Sequence, residues 1–193
     1  DFSDQLYTMS DGMFDVTSGV LRKAWRFDQS DNVPEQAQID ALLPVIGWSK
    51  VSWNKPQLQL LPGMEIDLGG IGKEYAVDRV LGLLQQHSSL SMMVNFGGDC
   101  HANAPQSNGQ PWVTGIENPR RTGKASDVIR LNHGALATSG DAYRFIEKDG
   151  VRYSHIINPS TGWPAPSTWP SSSRIRSMAK YSSKKWVLAR MFC

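Results

Sequence analysis

Asp67 and Lys73 flank three glycines at a point where a strand-like pattern gives way to a helical one. Apolar residues recur at helical spacing after Lys73, and residues 64–68 are predicted to end a short strand. Backbone N–H groups at a helix N-terminus attract anions, glycine lets a ligand approach closely, and a lysine adds positive charge. The segment is therefore predicted to hold a phosphate or pyrophosphate. It matches neither the dinucleotide-binding fingerprint nor the phosphate loop of NTPases, and a glycine-rich turn with a surface lysine stays open.

His155 is the second candidate for chemistry. If its segment is a strand, Tyr153, His155 and Ile157 face one side, and a partly buried imidazole there suits proton transfer near neutral pH. A histidine that only satisfies a neighbouring carboxylate or carbonyl is the alternative. The remaining histidines are interpreted as surface residues, with His101 opening a loop: His87, His101 and His133.

A third candidate is the triplet Met13, Phe14 and Asp15, which lies between Gly12 and Gly19. Its backbone is predicted to be open to a ligand. Asp15 is also well placed to cap the helix that follows it, because a side-chain carboxylate accepts the free N–H groups of a first helical turn. Capping and ligand contact both remain open at this point.

These residues need both helices and strands to position them. Helical patterns cover residues 4–9, 20–27, 34–43 and 73–86, and strand patterns cover residues 50–53, 57–60, 91–96, 112–117, 128–131, 135–138 and 154–157. The two kinds do not alternate strictly, which disfavours a doubly wound parallel sheet. We expect one α+β domain over residues 1–166, built on a largely antiparallel sheet flanked by helices.

Six motifs that occur in one order resemble those of the ApbE family, the FAD:protein FMN transferases once called thiamine-biosynthesis lipoproteins. They are residues 11–21, 66–79, 94–99, 112–120, 137–141 and 153–162. The resemblance covers about residues 10 to 166. It implies an α+β fold with largely antiparallel sheet.

The resemblance also implies roles for particular residues. It places His155 at the catalytic centre and makes the main-chain carbonyl of Gly70 a ligand of a divalent ion. The implied contacts to FAD are Met13, Phe14, Asp15, Asp67, Lys73 and Ile157, the last of these through its backbone.

The implied reaction moves FMN from FAD to a Ser or Thr hydroxyl of an acceptor flavoprotein and releases AMP, with Mg²⁺ balancing the phosphate charge. His155 is the candidate base for that hydroxyl. The family also implies the periplasm or cell envelope, with membrane anchoring through an upstream segment that we expect to be missing here. A flavin-binding protein without transfer activity is the alternative. A carbohydrate- or peptide-binding surface is a third hypothesis, although the seven tryptophans share no period.

Residues 167–193 depart from the family pattern. The family places an aspartate and a threonine, both metal ligands, in a helix after the histidine motif, but this segment contains no aspartate. It carries 6 Lys/Arg and no acid, whereas residues 1–166 carry 14 Lys/Arg and 18 Asp/Glu. We therefore interpret residues 167–193 as a divergent basic, serine-rich tail, out of register with the family sequence. Since the basic charge lies in this tail, no nucleic-acid partner is predicted.

Overall fold

The computed structural model describes residues 1–118, 121–137 and 144–165. They divide into two compact units. The first unit contains residues 1–70 and 144–165, and the second contains residues 71–118 and 121–137. The predicted boundary between a domain of residues 1–166 and a tail of residues 167–193 falls on residues outside the described ones, and it stays a prediction.

In chain order, the described helices are α1 (Phe2–Met9), a 3-10 helix (Val16–Lys23), α2 (Gln36–Asp40), two 3-10 turns (Leu43–Val45 and Trp48–Lys50) and α3 (Gly72–His87). The strands are β1 (Ser52–Asn54), β2 (Gln57–Gln59), β3 (Met93–Phe96), β4 (Asp99–Ala102), β5 (Trp112–Asn118), β6 (Arg121–Leu131), β7 (Gly134–Leu136), β8 (Phe145–Lys148) and β9 (Val151–Ser154).

The first unit has an apolar core to which residues from both of its chain segments contribute. The buried members are Val20, Leu21, Trp25, Ile39, Ile46 and Ile146. The Trp25 indole N–H donates to the Gly162 carbonyl at 2.8 Å, which ties the start of the unit to its return segment. Burying a large apolar side chain contributes about 1.5–3 kcal/mol, so this core joins the hairpin β8–β9 to the helices of the unit. The hairpin β1–β2 is exposed along both strands.

The second unit places α3 against β3 and β4. Val77 and Leu81 of the helix cluster with Val94 of β3. The antiparallel sheet has the order β3-β4-β7, and β5 and β6 form a separate antiparallel hairpin. Alternation along β4 puts Cys100 and Ala102 in an apolar cluster with Leu131 and Leu136. Asp99 and His101 have the opposite parity.

The mixed α+β class and the antiparallel pairing are confirmed, since the named strands of the described residues pair antiparallel. These strands form four small sheets rather than one. The hairpin over residues 50–60 and the helix over residues 73–86 are confirmed as β1–β2 and α3. Among the described residues, no helix combines the length and apolarity needed to cross a bilayer.

Four sequence predictions were wrong in detail. The helix over residues 20–27 is a 3-10 helix over Val16–Lys23. Residues 64–68 carry no strand, because Asp67 N–H donates to the Val16 carbonyl at 2.8 Å as a single bond rather than as part of a ladder. The helix over residues 34–43 is only Gln36–Asp40, since Pro44 has no N–H to donate to the Asp40 carbonyl, and Leu43–Val45 form a 3-10 turn. The strand over residues 154–157 ends at Ser154, whose hydroxyl accepts the Ile156 N–H at 3.3 Å.

Candidate functional site

Asp15 is the buried N-cap of the first 3-10 helix. Its Oδ1 accepts the backbone N–H of Thr17 at 2.8 Å and the Thr17 hydroxyl at 2.6 Å. Its Oδ2 accepts the backbone N–H of Trp48 at 2.8 Å. The predicted capping role is confirmed, and both carboxylate oxygens are engaged by the protein. The Asp15 carbonyl is engaged as well, because it accepts the Ser18 N–H at 3.1 Å and the Ser18 hydroxyl at 2.7 Å.

Asp67 is exposed and lies directly against the first 3-10 helix. Its Oδ1 accepts the Gly69 N–H at 2.7 Å, an Asx turn that fixes the carboxylate. A Cβ built on Gly19 would overlap the Asp67 side chain, so the absence of a side chain at Gly19 makes room for the acid. The orientation of Asp67 depends on both glycines.

Phe14 and Gly70 form a second contact between the motif of residues 11–21 and the motif of residues 66–79. A Cβ on Gly70 would come within 3.1 Å of Phe14 Cε2. Phe14 is partly buried, and its N–H donates to the Ser10 hydroxyl at 2.8 Å, within the turn that also contains Met13. The first unit contains six of the predicted FAD or metal residues: Met13, Phe14, Asp15, Asp67, Gly70 and Ile157.

His155 is in the same unit and lies just after β9, rather than on a strand face as predicted. The ring is partly buried, its Nδ1 atom is buried, and the Phe27 ring meets it edge-on with centroids 6.4 Å apart. Ile157 is partly buried against the core cluster and pairs with Pro164 in an isolated bridge. The bonds that close this loop use Ile156 and Asn158, not the peptide groups of Ile157.

Lys73 lies in the second unit, in the first turn of α3. Its Nζ is 2.8 Å from Oδ2 of Asp99, whose side chain is 1% exposed while that of Lys73 is 50% exposed. Asp99 follows the β3–β4 turn, where Gly97 and Gly98 have φ values of 60° and 99° that favour glycine. A buried acid thus holds a lysine that sequence reasoning assigned to a ligand.

Glu74 lies beside this pair. Burial raises the pKa of its carboxyl, and the charge of Asp99 raises it further, against a lowering effect of Lys73. Its Oε2 atom is buried. The carboxylates of Glu74 and Asp99 and the ammonium of Lys73 therefore lie close together at the start of α3.

The interpretation of His101 as a surface residue opening a loop is wrong. His101 lies in β4, which pairs with both β3 and β7, and is partly buried. Its Nδ1 is 2.7 Å from Oδ1 of Asp78 on α3. The surface interpretation holds for His87 and His133, which are exposed.

The chain is similar to a family of known proteins over most of its length. A family model described as the ApbE family matches residues 1–181. The chain belongs to the ApbE family. The resemblance seen in the sequence motifs is thereby confirmed.

Relatives in the ApbE family include proteins named FAD:protein FMN transferase. That of Haemophilus influenzae is 33% identical over 170 residues, which cover 83% of this chain and 49% of the relative. That of Vibrio cholerae is 34% identical over 165 residues, with 83% and 49% covered. This ApbE-family chain therefore spans about half the length of the relatives it matches.

Solved ApbE structures share the fold. The ApbE protein of Thermotoga maritima gives a TM-score of 0.72 at 36% identity, covering 85% of this chain and 55% of that one. The flavinyl transferase ApbE of Pseudomonas stutzeri, in its apo form, gives 0.71 at 31% identity, covering 84% and 51%. These likenesses support the α+β architecture described above.

Sequence reasoning missed the ion pair of Asp99 with Lys73 and the pair of Asp78 with His101. Asp99 is the last residue of the ApbE-like motif of residues 94–99, but the sequence patterns predict no strand over residues 99–102. The available signal was parity: Asp99 and His101 alternate with Cys100 and Ala102, as in a strand with one apolar face.

The ApbE resemblance implies a bound magnesium ion. Binding of that ion requires metal-ligating groups that lie close together. Within residues 1–118, 121–137 and 144–165, no group of three or more His, Cys, Asp or Glu side chains is placed to hold a metal ion. The family's further ligands would follow the histidine motif, but residues 167–193, which are outside the described residues, contain no aspartate. The described residues alone do not fit a magnesium ion, so the carbonyl of Gly70 as a ligand stays a prediction.

Proposed function

We propose that this chain is an FAD:protein FMN transferase, acting on a Ser or Thr hydroxyl of an acceptor protein. The observation that carries the proposal is the contact of residues 14–16 with residues 67–70 in the first unit. The Asp67 N–H bonds to the Val16 carbonyl, and Gly70 lies against Phe14. These are the segments to which the family assigns FAD contacts, and the names of the relatives support the same reaction.

Each predicted contact has a definite chemical form. Because the carboxylate and the carbonyl of Asp15 already accept hydrogen bonds, we assign its contact with FAD to its N–H group. Met13 serves FAD through its carbonyl and Phe14 through its ring, since the N–H groups of both donate to Ser10. Asp67 offers an exposed carboxylate for hydroxyl or N–H donors of the ligand. Lys73 offers a half-exposed ammonium for a phosphate.

The transfer step needs one proton to be removed. The acceptor hydroxyl oxygen forms a bond to the FMN phosphorus of FAD, the bond from that phosphorus to the bridging oxygen breaks, and AMP leaves with that oxygen. The hydroxyl proton goes to His155. Because Nδ1 is buried, we assign the proton transfer to Nε2.

Binding is tested by titrating FAD into the full chain and following flavin fluorescence. Replacing Asp67 or Lys73 by Ala is expected to weaken affinity roughly ten- to a hundredfold, since a hydrogen bond to a charged group contributes about 1.5–3 kcal/mol. Asp31→Ala and Lys148→Ala, at exposed positions, serve as matched controls. Unchanged FAD affinity in both site variants would show that Asp67 and Lys73 do not contact FAD.

Transfer is tested with FAD and a Ser/Thr peptide, with Mg²⁺ or with EDTA, by following the peptide mass and AMP release together. Equal amounts of flavinylated peptide and AMP support the transferase. FAD binding without either product, in both metal conditions, would instead identify a flavin-binding protein. The Mg²⁺ requirement, the acceptor flavoprotein and a place at the cell envelope stay predictions of the family resemblance.

A further inference from the structure

The two side chains of the Lys73–Asp99 ion pair differ in their exposure to solvent. The Lys73 ammonium is half exposed, whereas the Asp99 carboxylate is almost completely buried. Asp99 is the first residue of β4. The preceding turn is closed by Gly98 N–H donating to Oδ1 of Asn95 at 2.9 Å. Asp99 therefore cannot follow Lys73 into solvent.

A buried carboxylate is costly when its cation leaves, because the interior solvates charge poorly. Lys73 is consequently held near the β3–β4 turn, although its long side chain would otherwise sample many rotamers. An ammonium carries three N–H donors, so one bond to Asp99 leaves two for a ligand. The positive charge of Lys73 also weakens the repulsion between the Asp99 carboxylate and an anion that binds to Lys73.

We propose that Asp99 is a positioning residue, which holds the Lys73 ammonium in the place where it binds a phosphate of FAD. This inference rests on the proposed function, because FAD is the ligand. In this proposal Asp99 acts through its contact with Lys73 rather than on the reacting atoms. If Lys73 were free before binding, the loss of its rotamer entropy would lower FAD affinity by about thirtyfold at most.

A double-mutant cycle on FAD affinity tests this role. Asp99→Asn is expected to weaken binding at least about fivefold when Lys73 is present, and less than about twofold in a Lys73→Met background, since its effect passes through the lysine. Equal losses in both backgrounds would assign Asp99 a general structural role. Tighter binding by Asp99→Asn would show that the acid competes with the ligand, and would also overturn the proposal.

A measurement on the unaltered chain decides whether Lys73 is held. The chain is treated with a limiting amine-acylating reagent without FAD, and labelling of Lys73 is compared with that of Lys55 by peptide mass spectrometry. Lys55 is the matched control because its ion-pair partner, Asp1, is exposed, and exposed pairs are weak. Lys73 is expected to react at least about fivefold more slowly, because its partner is buried.

The two experiments separate the possible failures. Labelling of Lys73 as fast as Lys55 would overturn the positioning role even if Asp99→Asn does not fold. Slow labelling of Lys73 in a chain that binds no FAD would defeat the proposed function, and with it the phosphate-binding purpose of the pair. Slow labelling together with a coupled effect in the cycle supports the proposal.

Discussion

The backbone N–H of Trp48 donates a 2.8 Å hydrogen bond to Oδ2 of Asp15, across 33 residues of sequence. Thr17 occupies the other carboxylate oxygen and also accepts the N–H of Gly47 at 2.8 Å through its hydroxyl. One capping residue therefore fixes both its own helix and a distant 3-10 turn. The backbone of residues 13–15, proposed to face FAD, gains its rigidity from this connection.

Replacing Asp15 by Ala is expected to lower the free energy of unfolding by about 3–5 kcal/mol, because it leaves buried N–H donors without their charged acceptor. Urea unfolding measures the change. Asp31→Ala, at an exposed position, is expected to stay within about 0.5 kcal/mol of the parent. A stability equal to that control, combined with a loss of FAD affinity, would show that the carboxylate serves the ligand instead.

Gly19→Ala is expected to weaken FAD binding about tenfold, since the added methyl group overlaps Asp67 and displaces its carboxylate. Gly82→Ala is the matched control. Gly82 lies within α3 and nothing comes within 4 Å of a Cβ there, so this change is expected to add up to about 1 kcal/mol of stability and leave FAD affinity unchanged. FAD titrations that do not distinguish the two variants would refute the role of Gly19.

His155→Asn is expected to slow flavin transfer by about 10²- to 10⁴-fold while FAD affinity stays the same, because the change removes a base and not a ligand contact. Single-turnover transfer to a Ser/Thr peptide measures the rate. His87→Asn, at the exposed end of α3, controls for loss of a histidine as such. Equal rates for the two variants would make His155 a structural residue.

The raised pKa of Glu74 predicts a pH dependence of stability. A carboxyl whose pKa is higher in the folded chain binds more protons there than when unfolded. Its contribution to stability is complete below the ordinary value of 4.5 and is lost as pH rises through the raised folded value. Glu74→Gln is therefore expected to gain stability relative to the parent between mildly acidic and neutral pH. Urea unfolding of both chains across this range tests it, and a constant difference would contradict the assignment.

Local patterns in the sequence determined several parts of this protein. The apolar period after Lys73 predicted α3, because an amphipathic helix is encoded within a few turns of chain. The position of Asp15 just before a helical segment indicated a cap for the same reason. The ordered motifs identified the family, and with it the residues to which FAD contacts are assigned.

Only the tertiary structure decided how those residues are used. The bonds of Asp15 to Trp48, the fit of Asp67 over Gly19 and the pair of Lys73 with Asp99 join positions far apart in the chain. No local period encodes such pairings. The strand β4 likewise exists because β3 and β7 pair with it on both sides, whereas residues 64–68 lack a ladder and stay irregular. Local sequence specifies the turns and helices, but the partner of a buried charge is fixed only when the chain closes around it.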